Sequence, residues 1–202
     1  VTCVYITVMT LVLIEGLNVK CFAAGVGCVG GVLVAGALEL LLRDQIKMSG
    51  VLDSEWLYLY NLRKDNPIDL KAIIFAMIIV GAVGAVMDVA MSIASSLCEI
   101  NEKSPDLPAR ELLKSGLTIG RDIMGTMANT LVLAYIGSAL CCMLLMVTYS
   151  SNVSQILNRE QIAVEILQAL AGSIGILAAL PLTAITSVLC LKPLNRIKRS
   201  VH

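Results

Sequence analysis

Long apolar runs separated by polar connectors dominate the chain. Five stand out: Val1 to Ile14, Cys21 to Leu42, about Ile73 to Leu97, about Ile123 to Val147, and about Ile162 to Leu191. A helix needs about 20 predominantly apolar residues to cross the hydrocarbon of a bilayer, and the last four runs reach that length. Strands of a membrane barrel would alternate over about ten residues, and these runs do not. The pattern predicts an all-α, polytopic transmembrane helix bundle forming one domain over residues 1–202, with helices at about 1–14, 21–42, 73–97, 123–147 and 162–191. The first run is too short to span by itself and opens on Val1 rather than Met. The expectation is therefore about five helices with the first truncated. No basic n-region or small-residue cleavage site marks that run as a secretory signal.

The connectors differ in character. Residues 43–70 form a long mixed segment in which Trp56, Tyr58 and Tyr60 lie close together. Aromatics of this kind sit at the headgroup level, so part of the segment is read as interfacial; an ordinary loop with a small hydrophobic cluster fits equally. Pro105 and Pro108 precede Ala-Arg-Glu-Leu-Leu-Lys-Ser-Gly, read as a short amphipathic helix. Thr148 to Arg159 is short and polar, and its Asn152-Val153-Ser154 matches a glycosylation sequon, a tripeptide common by chance.

Composition sharpens this picture. The chain is 57% hydrophobic and 15% charged, against about 45–50% and about 25% in soluble domains. Formal net charge is zero and aromatics are 4%, so the basic, ring-interleaved surface of a single-strand binder is missing and no nucleic-acid partner is expected. Membrane lipid is the expected surrounding. Lys and Arg on alternate sides place Lys20, Lys103, Arg110, Lys114, Arg121, Lys192, Arg196, Lys198 and Arg199 together, which predicts a cytoplasmic C-terminus. The seven cysteines form no CxxC pair, and His202 is the only imidazole. They are read as free, small packing residues.

Candidate chemistry concentrates in the third and fourth runs. Gly81, Gly84, Ala85, Asp88, Ser92, Ser95, Ser96 and Glu99 recur at spacings of three and four, one face of a helix. Asp88 falls near the middle of its run. A carboxylate at the bilayer centre costs about 2.5–3.5 kcal/mol on insertion scales and is by default a functional residue. Two roles fit: binding a cation or proton during transport, or accepting a fixed hydrogen bond between helices. In the next run Asp122, Thr126 and Asn129 share a face. Asp88, Ser92, Asp122, Thr126 and Asn129 thus form a candidate ion or substrate path. Asp88 and Asn129 are the candidate ligands of a hard divalent cation, which prefers such oxygens.

Glycines supply the packing signals. Gly27 and Gly31 make a GxxxG pair, and Gly81, Gly84, Gly172 and Gly175 suit close helix approach. The last run adds Glu165, Gln168 and Ser173, with Pro181 expected to loosen or kink the helix. Enzymatic signatures are missing: there is no GxSxG, HExxH or Cys-His pairing. An intramembrane aspartyl pair would require Asp88 and Asp122 at one depth. With Asp122 starting its helix and Asp88 central in its own, the two do not meet unless boundaries shift by two turns.

Three blocks carry a family resemblance: GAVGAVMDVAMSIASSLCEI, LLKSGLTIGRDIMGTMANTLVLAYIGSAL and LNREQIAVEILQALAGSIGILAALPLTA. They resemble the YibE/F-like multi-pass membrane proteins over roughly Leu70 to Ala184, and the length looks like the shorter YibF-type partner. The resemblance implies a predicted permease in a bacterial plasma membrane, working as a homo-oligomer or with a YibE-type membrane partner, with export of manganese or another small solute compatible. By matching blocks it carries over Asp88, Ser92, Arg121, Asp122, Thr126 and Asn129. The functional expectation is a non-enzymatic permease subunit. The alternative is a non-transporting scaffold that holds a partner through its glycine faces.

Overall fold

In the computed structural model the chain is described continuously over residues 18–46, 69–149 and 159–200, with residues 5, 7, 9, 10, 12, 13, 16 and 154 described singly. Four helices fill these stretches: α1 (Val19–Ile46), α2 (Leu70–Lys103), α3 (Ala109–Tyr149) and α4 (Glu160–Ser200). Each holds a segment long and apolar enough to cross a membrane. The described residues are thus all-α with four such helices, where about five were expected. Most of the first run lies outside the described residues; its described members, such as Tyr5 and Met9, are helical. Gly16 follows at φ +72° and donates its N–H to the Val12 carbonyl at 3.0 Å, as a left-handed glycine at a helix end does. Trp56, Tyr58, Tyr60, Asn152 and His202 also lie outside the described residues.

Local chemistry sets the helix ends. The Asp69 carboxylate accepts from the N–H groups of Lys71 and Ala72 at 3.1 and 3.2 Å, an N-cap that starts α2. Proline punctuation after Ser104 stops it. The Ala-Arg-Glu-Leu-Leu-Lys-Ser-Gly segment, expected as a separate short helix, is instead the first two turns of α3. No proline interrupts residues 109–149, and two of the glycines within them, Gly116 and Gly120, serve packing. A Cβ on Gly116 would come within 2.8 Å of Leu97, and one on Gly120 within 2.8 Å of Leu180. Likewise α4 runs as helix through Pro181, whose side chain is exposed.

Close contacts give the register. Going along α1, Ala23 meets Thr186, Gly27 meets Thr183, and Gly31 meets Ala179 and Gly175, so α1 and α4 are antiparallel. Val86 meets Gly175, and Gly81 meets Gln168, so α2 and α4 run parallel. Leu97 meets Gly116 and Ile93 meets Gly120, which sets α3 antiparallel to α2. The two parallel helices form the centre, and α1 and α3 flank them on opposite sides. Half of the most apolar window of α4 is buried, against 6% for α3, which leaves α3 peripheral.

One junction is tighter than the rest. A Cβ on Gly31 would stand 2.7 Å from the Gly175 carbonyl oxygen, 2.8 Å from Val86 and 2.9 Å from Ala179. Backbone cannot move aside as a side-chain tip can. Gly31→Ala should therefore cost about 1–3 kcal/mol of stability through overpacking. Gly137→Ala, where a Cβ meets nothing within 4 Å, should be neutral or gain up to about 1 kcal/mol from helix propensity. Thermal unfolding of the purified, detergent-solubilised variants measures both, and equal loss in the two would remove the special role of Gly31.

Candidate functional site

The sequence-predicted polar face of α2 is exposed in part: Gly84, Asp88 and Glu99 are exposed, the serines are half-buried, and Gly81 is covered. Ile74, Ile78, Ala82, Val86, Val89, Ile93 and Leu97 make the buried stripe of α2. Gly84 and Asp88 lie on the opposite, exposed stripe, and a Cβ on Gly84 would meet nothing within 4 Å. Asp88 sits roughly 25 Å along the helix from Lys71 and roughly 16 Å from Glu99, at 1.5 Å per residue. It is therefore deep within an apolar span while exposed among the described residues.

On α3 the division is similar. Leu112, Gly116, Gly120, Leu131 and Ala139 turn inward. Arg121, Asp122, Gly125, Thr126 and Asn129 are exposed. Interpolating between the Ile93–Gly120 and Gly81–Tyr135 contacts puts Asp88 about level with Thr126. Asn129 is offset to one side, and Asp122 to the other by about one turn. Because α3 begins at Ala109, Asp122 lies well inside its helix rather than at its start. The depth argument against an aspartate pair thus loses its basis, yet among the described residues no contact joins the two carboxylates.

Hydroxyl groups along these stripes are committed to their own helices. Ser92 donates to the Asp88 carbonyl at 2.8 Å, Ser96 to Ser92 at 2.8 Å and Thr126 to Ile123 at 2.8 Å. Such back-bonding lets a hydroxyl lie in hydrocarbon at little cost. It also means that Ser92 and Thr126 are not drawn toward Asp88. Among the described residues no three His, Cys, Asp or Glu side chains gather as a metal would require. Among the described residues, Asp88 and Asn129 thus gather no set of further His, Cys, Asp or Glu ligands around them.

The packing glycines divide sharply. Gly27 is overlaid by Thr183, Gly31 and Gly175 face each other across the α1–α4 junction, and Gly172 lies against Leu131. Gly27 and Gly31 are therefore covered within the chain and unavailable to a second one. Gly84, Gly125 and Gly137 meet open space.

Two polar features escaped the sequence reading. Glu39 is 1% exposed, on the α1 face that also carries Ala35 and Leu42 and packs against Ile74 and Ile78 of α2 and Val164 and Leu167 of α4. It is the one charged residue between Cys21 and Leu42, and that isolation within an apolar run is the signal that marks it. The second is a three-helix junction. The Gln168 amide hydrogen-bonds the Tyr135 hydroxyl, and a Cβ on Gly81 would stand 2.8 Å from Gln168 Nε2 and 2.9 Å from the Tyr135 oxygen. No spacing rule links residues from three separate helices.

A model of one protein family, described as YibE/F-like protein, matches residues 1–193 of the chain. No curated protein and no solved structure matches it.

Interhelical polar bonds in membrane proteins average about 0.6 kcal/mol, with a maximum near 1.7. A double-mutant cycle of Tyr135→Phe with Gln168→Leu, read from detergent unfolding, should give a coupling of about that average. Strict additivity of the two substitutions would mean that the pair does not tie α3 to α4.

Proposed function

The chain belongs to the YibE/F-like protein family, and on that premise we propose that it is one subunit of a membrane permease whose polar path is completed by another protein chain. The supporting observation is Asp88: a carboxylate deep in an apolar span, exposed on the outside of its own bundle. Facing lipid there costs about 2.5–3.5 kcal/mol. Water or protein has to cover it, and no described residue of this chain packs over Asp88.

In this reading a second copy, or a YibE-type partner, packs on the exposed stripes of α2 and α3. Asp88 then binds or relays a cation, Thr126 and Asn129 offer neutral oxygens, and Asp122 draws ions in from one end. The transported species is a small solute or cation. A divalent metal such as manganese, as cargo, suits carboxylate and amide oxygens once a partner adds further ligands. The setting is a bacterial plasma membrane with the C-terminus cytoplasmic, as the Lys and Arg distribution favours.

A scaffold role has an observation of its own. Gly84 on α2 and Gly125 and Gly137 on α3 each meet open space, where they would let a partner's backbone approach without any solute passing. The two readings separate on Asp88. Asp88→Asn should bring metal or small-solute flux down to the level of cells lacking the protein, while the variant still inserts and folds; accumulation assays read this. Undiminished flux in folded Asp88→Asn protein would sink the permease reading. A pure scaffold would instead ignore Asp88→Asn and lose its partner in the Gly84→Leu, Gly125→Leu double variant.

A further inference from the structure

A second feature lies apart from the Asp88 stripe. Between α3 and α4 a groove of about 320 Å³ opens to the outside of the bundle. Val132, Tyr135, Ile136, Ile166, Ala169 and Leu170 supply most of its wall. Met143 and Ile162 mark one end, Val132 and Ser173 the other, a length of roughly 16 Å at 1.5 Å per residue along both helices. The volume falls at the lower end of the range of small-molecule sites, about 300–1,000 Å³.

Its polar content is narrow. Glu165, one turn from the Ile162 end, is half-buried in the wall, and among the described residues no Lys or Arg pairs with it. Ser173 donates to the Ala169 carbonyl at 2.8 Å, so its hydrogen is not offered to a ligand. The Tyr135 hydroxyl is engaged by Gln168 on the inner side, while the residue itself lines the groove. An unpaired carboxylate near one end of an apolar trough attracts positive charge by an ionic term, and the Tyr135 ring, one turn from Val132, lines the trough nearer its other end. An anion is repelled by Glu165, and a hydrated inorganic ion finds too few polar groups.

We infer that the α3–α4 groove is a binding site for an amphiphilic organic monocation, its ammonium held by Glu165 and its apolar body lying along the groove past Tyr135 toward Ser173. The occupant is a free solute rather than a lipid headgroup, because the groove is short and holds one compact apolar body rather than paired long chains. The site does not depend on Asp88 or on transport.

Hexyltrimethylammonium and hexanesulfonate share a body and differ in the sign of charge. Equilibrium dialysis of each against the purified full chain in uncharged maltoside micelles, with empty micelles subtracted, tests the inference without competing lipid ammonium groups. Saturable binding of the cation and none of the anion is expected. Glu165→Gln should weaken the cation at least about tenfold, Ala169→Trp should abolish binding by filling the groove, and Asp88→Asn should bind as the parent does. Each variant is first matched to the parent by gel filtration and melting temperature; using two groove variants keeps the test alive if one misfolds. Absence of saturable binding by the parent would overturn the site. So would equal binding of the anion, retention in folded Glu165→Gln or Ala169→Trp, or loss in Asp88→Asn. Dialysis repeated in phosphatidylethanolamine nanodiscs should leave cation binding in place; its displacement there would assign the groove to a lipid headgroup and overturn the free-solute inference.

Discussion

Everything in the bundle is arranged around the meeting of two backbones. At Gly31 and Gly175, α1 and α4 come so close that a Cβ on either would press on the carbonyl oxygen of the other, and Val86 of α2 fills the remaining space. Lipid chains are as apolar as leucine, so helices in a bilayer gain little from hiding apolar side chains from lipid. Close approach, with dispersion contacts made at short range, replaces that drive. Once Gly31 is seated, the antiparallel register brings Thr183 over Gly27 and the Thr186 hydroxyl to the Ala23 carbonyl at 3.3 Å. With α1 and α2 packed on α4, α3 has one strip of small and medium residues through which to join.

Polar groups are tolerated by the same economy. Hydroxyls on α2, α3 and α4 turn back onto carbonyls of their own helices. The Lys192 ammonium donates to the Leu107 carbonyl and ties the end of α4 to the α2–α3 connection. Glu99 and Lys103 pair at 2.7 Å on an exposed helix end, where such a pair adds little stability. Three carboxylates are treated differently. Glu39 is inside, Glu165 borders an outward groove and Asp88 lies on an outer stripe. Insertion cost weighs on each of them, and they meet it differently: Glu39 is enclosed by protein, Glu165 is half-buried in a groove wall, and Asp88 is exposed.

Much of this was legible in the residues. Apolar runs located all four spanning helices, and the blocks around Asp88 and Asp122 pointed to the family whose model matches residues 1–193. Helix ends were less legible. The amphipathic turns at Ala109–Gly116 read as a separate element because their composition changes at Ser115, yet the helix hydrogen bonds do not stop there. Facing was least legible. Gly81 and Gly84 stand one turn apart with the same chemistry, but one is pressed by Gln168 and Tyr135 while the other meets nothing. In water an apolar stripe marks the inside; in lipid both sides of a helix are apolar, and the clue fades.

By itself the sequence determined that the chain is helical and built for a bilayer, because only runs of that length and apolarity satisfy backbone hydrogen bonds in hydrocarbon. It also determined which ionisable groups had to be accommodated there. Tertiary structure alone decided which glycines are filled, that Glu39 turns in while Asp88 turns out, and that Tyr135, Gln168 and Gly81 meet. Those outcomes depend on the rotation of each helix about its axis, and that rotation is set by short-range fit between surfaces distant in the chain.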